Sequence, residues 1–325
     1  MELVTGEVSK KKNRAVVLVH GGAWDIPDEE CEDHEKGLDN ALDLGAGLLQ
    51  HGSAAAEVVV QVLSQMENSG IFDAGCGAVL NEKGEVELDA GMMCGDTKQW
   101  GAVAGVKVFR NPVKIAQKIA SEGKGQYCFL ANTYAERFAR EAGFKPLLNK
   151  ELICAREKRR YDDFLSRSTN YHTSHPFMKA DTSWPRGTIG CIALDSEDRL
   201  AAATSTGGTP FRMAGRIGDS PLPGCGFFAN RTGAASATGW GEAIASVSLC
   251  REAVFLLEQG MRPIEAVSSV LGKMYSSVEN LDGQGATGGL ILLNSCGEGA
   301  WGYTTPRMAR GWVVVDQNQR FIKVT

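Results

Sequence analysis

Gly187-Thr188-Ile189-Gly190 places a threonine directly after a glycine, where a long polar stretch gives way to an apolar run. If the Gly187–Thr188 peptide bond is broken, Thr188 carries a hydroxyl nucleophile and an α-amine in one residue, so it brings its own base. A free α-amino group titrates at ~7.7–8.0, close to the optimum for a general base at neutral pH. Arg216-Ile217-Gly218-Asp219 sets opposite charges three residues apart, among glycines. The arginine fork can clasp a carboxylate and the aspartate an ammonium, which together match the head of an amino acid. Thr238-Gly239-Trp240-Gly241-Glu242 leads into a helical pattern, where the Gly239 N–H and the Thr238 hydroxyl can face a developing oxyanion. Each segment also has a plainer reading: a threonine opening a strand, a salt-bridged turn and a helix cap.

The flanking sequence supplies elements to position these residues. The apolar runs 188–194 and 199–204 read as two strands joined by a turn at Asp195–Asp198. Residues 15–19 read as a buried strand ending at Gly21-Gly22. Helical periodicity covers about 29–51, then 53–66 with Ser53 as cap, 112–121, 126–142, 242–258 and 262–277. Residues 77–80 and 85–89 flank Lys83-Gly84 as a hairpin, and strands are expected near 288–293, 311–315 and 321–324. From about 155 to 186 the sequence is polar with little periodicity, which reads as a flexible loop. Hairpin-linked strands with grouped helices predict an α+β chain with antiparallel sheets covered by helices.

Composition narrows the function. The 325 residues are 43% hydrophobic and 22% charged, the balance of a globular chain. A net charge of −5 offers no basic field for a phosphate backbone, so nucleic acid is not the expected partner. The 39 glycines exceed the average usage of ~7% and mark turns and close backbone approaches. Nine widely spaced cysteines lack any C-x-x-C and read as small buried hydrophobes in a reducing compartment. Only five apolar residues follow Lys10-Lys11-Lys12, fewer than a secretory core needs, and no run spans a membrane. A cytoplasmic location is expected. G-x-S-x-G, H-E-x-x-H and Walker sequences are absent from the chain, and its Gly-x-Gly patterns lack the strand–helix context of a dinucleotide site.

In order and spacing, G-T-I-G at 187, A-A-A-T-S-T-G-G at 201, G-R-I-G-D-S-P-L-P-G-C-G at 215 and A-T-G-W-G-E at 237 closely resemble the N-terminal-nucleophile asparaginases, the plant-type asparaginase and isoaspartyl peptidase family. His20-Gly21-Gly22-Ala23, Phe72 to Leu80, Leu88 to Met93 and Asn111-Pro112 extend the resemblance over about 15–315. It implies a single αββα sandwich domain over 1–325 that cleaves itself into an α chain, 1–187, ending in a linker of about 155–187, and a β chain, 188–325. It implies that Thr188 attacks the side-chain carbonyl of L-asparagine or of a β-aspartyl dipeptide to give an acyl-enzyme. Thr206 would tune the nucleophile and Arg216 and Asp219 would hold the substrate head. Thr238 and Gly239 would form the oxyanion hole, with Gly241 completing the binding turn. The family is similar too in a structural sodium ion held by backbone carbonyls, here those of Met66, Glu67, Ser69, Phe72, Ala74 and Cys76, a donor set that suits a hard cation. No organic cofactor is implied. The expected assembly is a homodimer of αβ units.

The sequence departs from the family at Asp73, where asparagine is usual, at Trp24, at Trp240 and in the loosely matching Trp301 to Met308. Three alternatives remain: a glycosylasparaginase, a taspase-like threonine endopeptidase, and an uncleaved homologue that only binds amino acids. Gly187 in place of the Asp before the cut argues against the first. The Arg216–Asp219 pair, suited to a free amino-acid head, argues against the second.

Overall fold

The computed structural model describes residues 2–8, 15–167, 187–279 and 283–325. In chain order its elements are β1 (Val4–Glu7), β2 (Val16–Trp24), α1 (Asp28–Gln50), α2 (Ala55–Asn68), β3 (Leu88–Cys94), β4 (Trp100–Val106), α3 (Pro112–Glu122), β5 (Phe129–Ala131), α4 (Asn132–Glu141) and α5 (Ala155–Arg167). After Gly187 come β6 (Thr188–Leu194), β7 (Leu200–Thr206), β8 (Phe227–Ala229), β9 (Gly233–Gly239), α6 (Gly241–Val247), α7 (Leu249–Glu258), α8 (Pro263–Ser277), β10 (Gly288–Asn294), β11 (Gly299–Tyr303), β12 (Arg307–Val314) and β13 (Gln319–Lys323).

The strands form two sheets. One runs β13-β12-β2-β6-β7-β3-β4-β5 and the other β1-β11-β10-β9-β8. Every pairing is antiparallel except β4 with β5. Alternation of side chains divides the apolar residues of the central strands between two cores. Val17, Val19, Ile189, Cys191, Ala201 and Ala203 pack with α1 and α2 residues such as Leu38, Leu42, Val59 and Leu63. Their neighbours Val16, Leu18, Ile192, Leu194, Leu200 and Ala202 turn the other way and meet Ile291, Leu293 and Ala234 of the second sheet. The far face of that sheet, with Leu290, Leu292, Ala235 and Ala237, packs against α7 and α8. Because both faces of β2, β6 and β7 are covered, these strands read as continuous apolar runs.

Several elements differ from the sequence reading. Residues 77–80 form no strand; β3 pairs with β4 instead, although a tight turn closed by the Asn81 N–H to the Glu85 carbonyl does sit at Lys83-Gly84. The helix expected over 126–142 begins only at Asn132, after the short parallel strand β5. The helix over 242–258 is broken at Ser248, whose left-handed φ of 49° ends α6 and starts α7. Ser53 does not cap α2. Ala54 stands at that position, and the Ala55 N–H is taken by Asp195 Oδ2 at 2.8 Å, from the β6–β7 turn. The polar stretch read as a linker from about 155 opens as helix α5, with Glu157 and Phe164 buried. The remainder of that linker, 168–186, lies outside the described residues. Of the cysteines only Cys191 and Cys250 are buried; none is paired.

Candidate active site

The layer between the sheets changes character along its length. On β6, β7 and β9 the residues facing across the sheets run from Ile192, Ala202 and Ala234 to Gly190, Thr204 and Ser236, and then to Thr188, Thr206 and Thr238. Register does this. Thr188 pairs with Thr206, Gly190 with Thr204, and Gly190 also with His20 of β2. The Thr188 hydroxyl donates to Thr206 Oγ1 at 3.1 Å, and the Gly208 N–H donates to the same oxygen at 2.9 Å. All three threonines are buried.

One step below lies a polar chain. His20 Nδ1 is 3.0 Å from the Thr188 carbonyl and Nε2 is 2.9 Å from Ser236 Oγ, which is 2.6 Å from Thr204 Oγ1. Burial lowers the His20 pKa to about 3 against the raising effect of the Thr188 carbonyl, so the ring is neutral. A carbonyl can only accept, which assigns the ring proton to Nδ1 and makes Nε2 the acceptor for the Ser236 hydroxyl.

The glycine loop at the end of β2 reaches the Gly187–Thr188 junction. Gly22 has φ +107°, and a Cβ there would stand 2.7 Å from Gly187 Cα and 3.4 Å from the Thr188 nitrogen. The next residue, Ala23, donates its N–H to Thr238 Oγ1 at 3.3 Å. Gly239 follows at φ +135°, where a Cβ would fall 2.4 Å from Gly288 Cα across the ladder; only glycine fits that approach. Two residues on, a Cβ at Gly241 would lie 2.8 Å from Asp219 Oδ1 and 2.9 Å from Arg216 Nη2. Thr188, Thr206, Thr238, Gly239, Gly241, Arg216 and Asp219 thus follow one another through a continuous set of neighbours.

Arg216 and Asp219 do not pair with each other among the described residues. The guanidinium donates from Nε and Nη2 to the two oxygens of Glu242, both at 2.8 Å. Asp219 is buried, its Oδ2 has no partner, and burial raises its pKa to about 7 against the lowering effect of Arg216. The loop carrying both is held from below by Arg212. Arg212 pairs with Asp89 at 2.7 Å and donates to the carbonyls of Glu87 at 2.6 Å and Arg216 at 2.9 Å.

Asp73 is buried beside the junction. Its Oδ1 accepts the Val79 N–H at 2.9 Å and its Oδ2 has no partner. Its Cβ would be 3.2 Å from a Cβ built on Gly187. Burial raises its carboxyl well above the ordinary range, opposed by the Val79 N–H.

A chain with these parts can attack an amide carbonyl and orient an amino-acid head. A family model described as Asparaginase, Asparaginase_2, matches residues 13–323. The chain belongs to this asparaginase family. A bovine protein named isoaspartyl peptidase/L-asparaginase is 38% identical over 296 residues, covering 90% of this chain and 91% of its own. The human protein of that name is 37% identical over 295 residues, with the same coverage. A plant-type L-asparaginase of Pyrobaculum calidifontis is 36% identical over 301 residues, covering 91% and 96%.

Within this member of the asparaginase family, Met66, Glu67, Ser69, Phe72, Ala74 and Cys76 lie along the end of α2 and the turn that follows. The turn is tight: a Cβ on Gly75 would meet the Glu67 carbonyl oxygen at 2.3 Å, and one on Gly77 the Phe72 carbonyl oxygen at 2.2 Å. The Met66 carbonyl also accepts the Ser69 hydroxyl at 2.7 Å. No group of three His, Cys, Asp or Glu suited to a metal occurs among the described residues. The Glu67 side chain turns away, to Ser205 at 2.7 Å and Asn111 at 3.0 Å.

Four residues of the site escape a sequence reading: His20 as a side chain, Glu242, Arg212 and Asp89. Charged groups are rarely buried unless paired, and pairs 123 residues apart leave no local pattern. For Glu242 the only signal is its place directly after the Thr238–Gly241 turn.

Proposed function

We propose that the chain is an isoaspartyl peptidase/L-asparaginase that matures by cleaving itself between Gly187 and Thr188. The observation that carries this is the hydrogen bond from Thr188 to Thr206 at the first residue of β6, directly after Gly187 and two residues from the polar chain under the nucleophile. The names of the relatives support the substrate class.

In maturation Thr188 Oγ attacks the Gly187 carbonyl carbon, the C–N bond breaks and an ester forms; water then hydrolyses the ester, leaving a Gly187 carboxylate and a free Thr188 amine. In turnover that amine takes the hydroxyl proton, and Oγ attacks the side-chain amide carbonyl of the substrate. The Gly239 N–H and the Thr238 hydroxyl meet the oxyanion. The proton passes to the departing nitrogen, which leaves as ammonia or as the amino end of the second residue of a β-aspartyl dipeptide. Water, activated by the same amine, then frees L-aspartate and the Thr188 hydroxyl. Arg216 holds the substrate α-carboxylate and Asp219 its ammonium, while Gly241 leaves room for both.

The layered arrangement of two sheets between helices supports the αββα sandwich of N-terminal-nucleophile hydrolases. The carbonyls of Met66, Glu67, Ser69, Phe72, Ala74 and Cys76 fit a sodium ion, whose service would be to fix the turn that carries Asp73. We place the mature enzyme as an (αβ)2 homodimer in the cytoplasm, where nine unpaired thiols are stable. Among the described residues no helix is long and apolar enough to cross a membrane.

Intact mass after incubation at neutral pH, with hydrolysis of β-aspartyl-leucine by the parent and by Thr188→Ala, tests the proposal. Two fragments and an activity lost in the variant are expected. Turnover surviving the substitution overturns it.

A further inference from the structure

We propose that Glu242 is a positioning residue for substrate recognition: by gripping one edge of the Arg216 guanidinium it presents the other edge to the substrate α-carboxylate and keeps Arg216 away from Asp219. This rests on the reading of Arg216 and Asp219 as the head-group site.

The geometry of the fork carries the inference. A guanidinium has five N–H groups. Glu242 takes the side-on pair, Nε and one hydrogen of Nη2, through two parallel bonds of 2.8 Å. The end-on edge remains, with both Nη1 hydrogens and the second Nη2 hydrogen, and it has the spacing for a second carboxylate. No acceptor for Nη1 occurs among the described residues.

The guanidinium lies close against two glycines. A Cβ on Gly218 would stand 2.8 Å from Nη1, and one on Gly241 would stand 2.9 Å from Nη2, so bare backbone borders it on two sides. Arg216 itself is largely buried, with 15% of its side chain exposed against 49% for Glu242. Glu242 is fixed in turn by the Trp240 side chain, which hydrogen-bonds to its carboxylate.

The alternative partner decides the chemistry. Besides Glu242, Asp219 and Asp89 act on Arg216; Asp89 is engaged by Arg212, whereas the Oδ2 of Asp219 is buried without a partner. If Glu242 let go, Arg216 and Asp219 could close on each other, and the two contacts meant for a zwitterion would cancel. With Glu242 in place, the arginine charge is already balanced along one edge and Asp219 stays available for an ammonium. Glu242 thereby selects ligands that carry both charges on one carbon.

The test uses the purified full chain, with Glu242→Ala and Glu242→Gln compared to the parent. Steady-state kinetics on L-asparagine and β-aspartyl-leucine give KM and kcat separately. Calorimetry with L-aspartate gives binding that needs no turnover, and thermal melting checks folding. For Glu242→Ala the expectation is KM raised at least ~10-fold with kcat within ~3-fold, and L-aspartate binding weakened by a similar factor. Glu242→Gln keeps one acceptor on the fork and recovers part of the loss. A fall in kcat with KM unchanged, a lower KM, or L-aspartate binding unaffected by Glu242→Ala overturns the inference. A parent that hydrolyses neither substrate but binds L-aspartate in a Glu242-dependent way would sink the hydrolase reading and leave this one standing.

Discussion

The carbonyl of Thr188 lies 3.0 Å from Nδ1 of His20, 168 residues away in the chain. The backbone of the proposed nucleophile is thereby tied to the strand that carries the glycine loop. The other ring nitrogen reaches Ser236 on the second sheet at 2.9 Å, so one neutral imidazole bridges both sheets directly under the site.

Removing that bridge should be expensive. His20→Ala leaves the Thr188 carbonyl and the Ser236 hydroxyl without their partner and opens a void between the sheets. Each buried orphan costs about 1–3 kcal/mol, so a total loss of about 3–5 kcal/mol is expected in urea unfolding. Ser236→Ala removes the hydroxyl but leaves the Thr188 tie, and should retain both cleavage and most of the stability. Equal losses in the two variants would show that the His20–Thr188 contact matters little.

Thr206 should matter to chemistry more than to folding. Its Oγ1 accepts from Thr188 Oγ1 and from the Gly208 N–H. Thr206→Val is close to isosteric and removes the oxygen, so kcat on β-aspartyl-leucine should fall ~10²-fold, with little change in Tm. A kcat within a factor of three of the parent would remove Thr206 from the site.

The pKa of Asp219 gives two linked expectations. At about 7 it lies above the ordinary carboxylate value, because burial disfavours the charge. An ammonium needs the ionised form, so KM should rise as the pH falls below about 7. For stability the sign is the reverse. Between the unfolded pKa and about 7 the folded state binds more protons than the unfolded chain, so the Asp219 contribution falls as pH rises through this window. Asp219→Asn should therefore raise Tm more at pH 8.5 than at pH 4.5, while abolishing substrate binding. Melting curves at the two values check the sign.

The sequence was legible where chemistry is local. Thr188, Arg216, Asp219, Thr238 and Gly239 stand in short segments whose residue types already suggest their use, and the structure gathers them. Strands β2, β6, β7 and β10 were legible too, since burial makes them apolar runs, whereas β4 and β9, seven residues each and rich in glycine and alanine, were not. Strands β1, β8 and β11 were missed because they are only three to five residues long, with glycines or no alternation. The break at Ser248 carries no proline or glycine and depends on a single left-handed residue. The roles of Glu242 and Arg212 could not be read, because what defines them is a partner brought in by tertiary structure.

Gly22 faces the junction with no side chain, at φ +107°. Gly22→Ala places a methyl 2.7 Å from Gly187 Cα, against backbone that cannot yield without moving the Gly187–Thr188 bond. Cleavage should slow at least ~10-fold while the fold persists, since a 1 Å misplacement can cost 10²-fold in rate. Gel analysis of fragment appearance over time, beside a melting curve, measures both. An unaltered cleavage rate would show that the glycine loop does not set the geometry of the junction.

Asp73 sits against that same junction with one carboxyl oxygen lacking a partner. Attack of Thr188 on the Gly187 carbonyl builds negative charge on the Gly187 oxygen; burial favours the protonated form of Asp73, whose single O–H is the one donor its side chain can offer that charge. An amide in the same place would keep the Val79 N–H bond through its carbonyl and offer two N–H donors where the protonated Asp73 offers one O–H. Asp73→Asn should therefore accelerate self-cleavage, by ~10-fold if the new donor is worth about 1.4 kcal/mol to the transition state. The rate is read from the intact masses of the precursor and of the fragments ending at Gly187 and starting at Thr188. Slower cleavage in Asp73→Asn would mean that the acid itself serves the reaction, as a proton donor to the nitrogen released from Gly187, and that its solitary buried oxygen points toward that nitrogen.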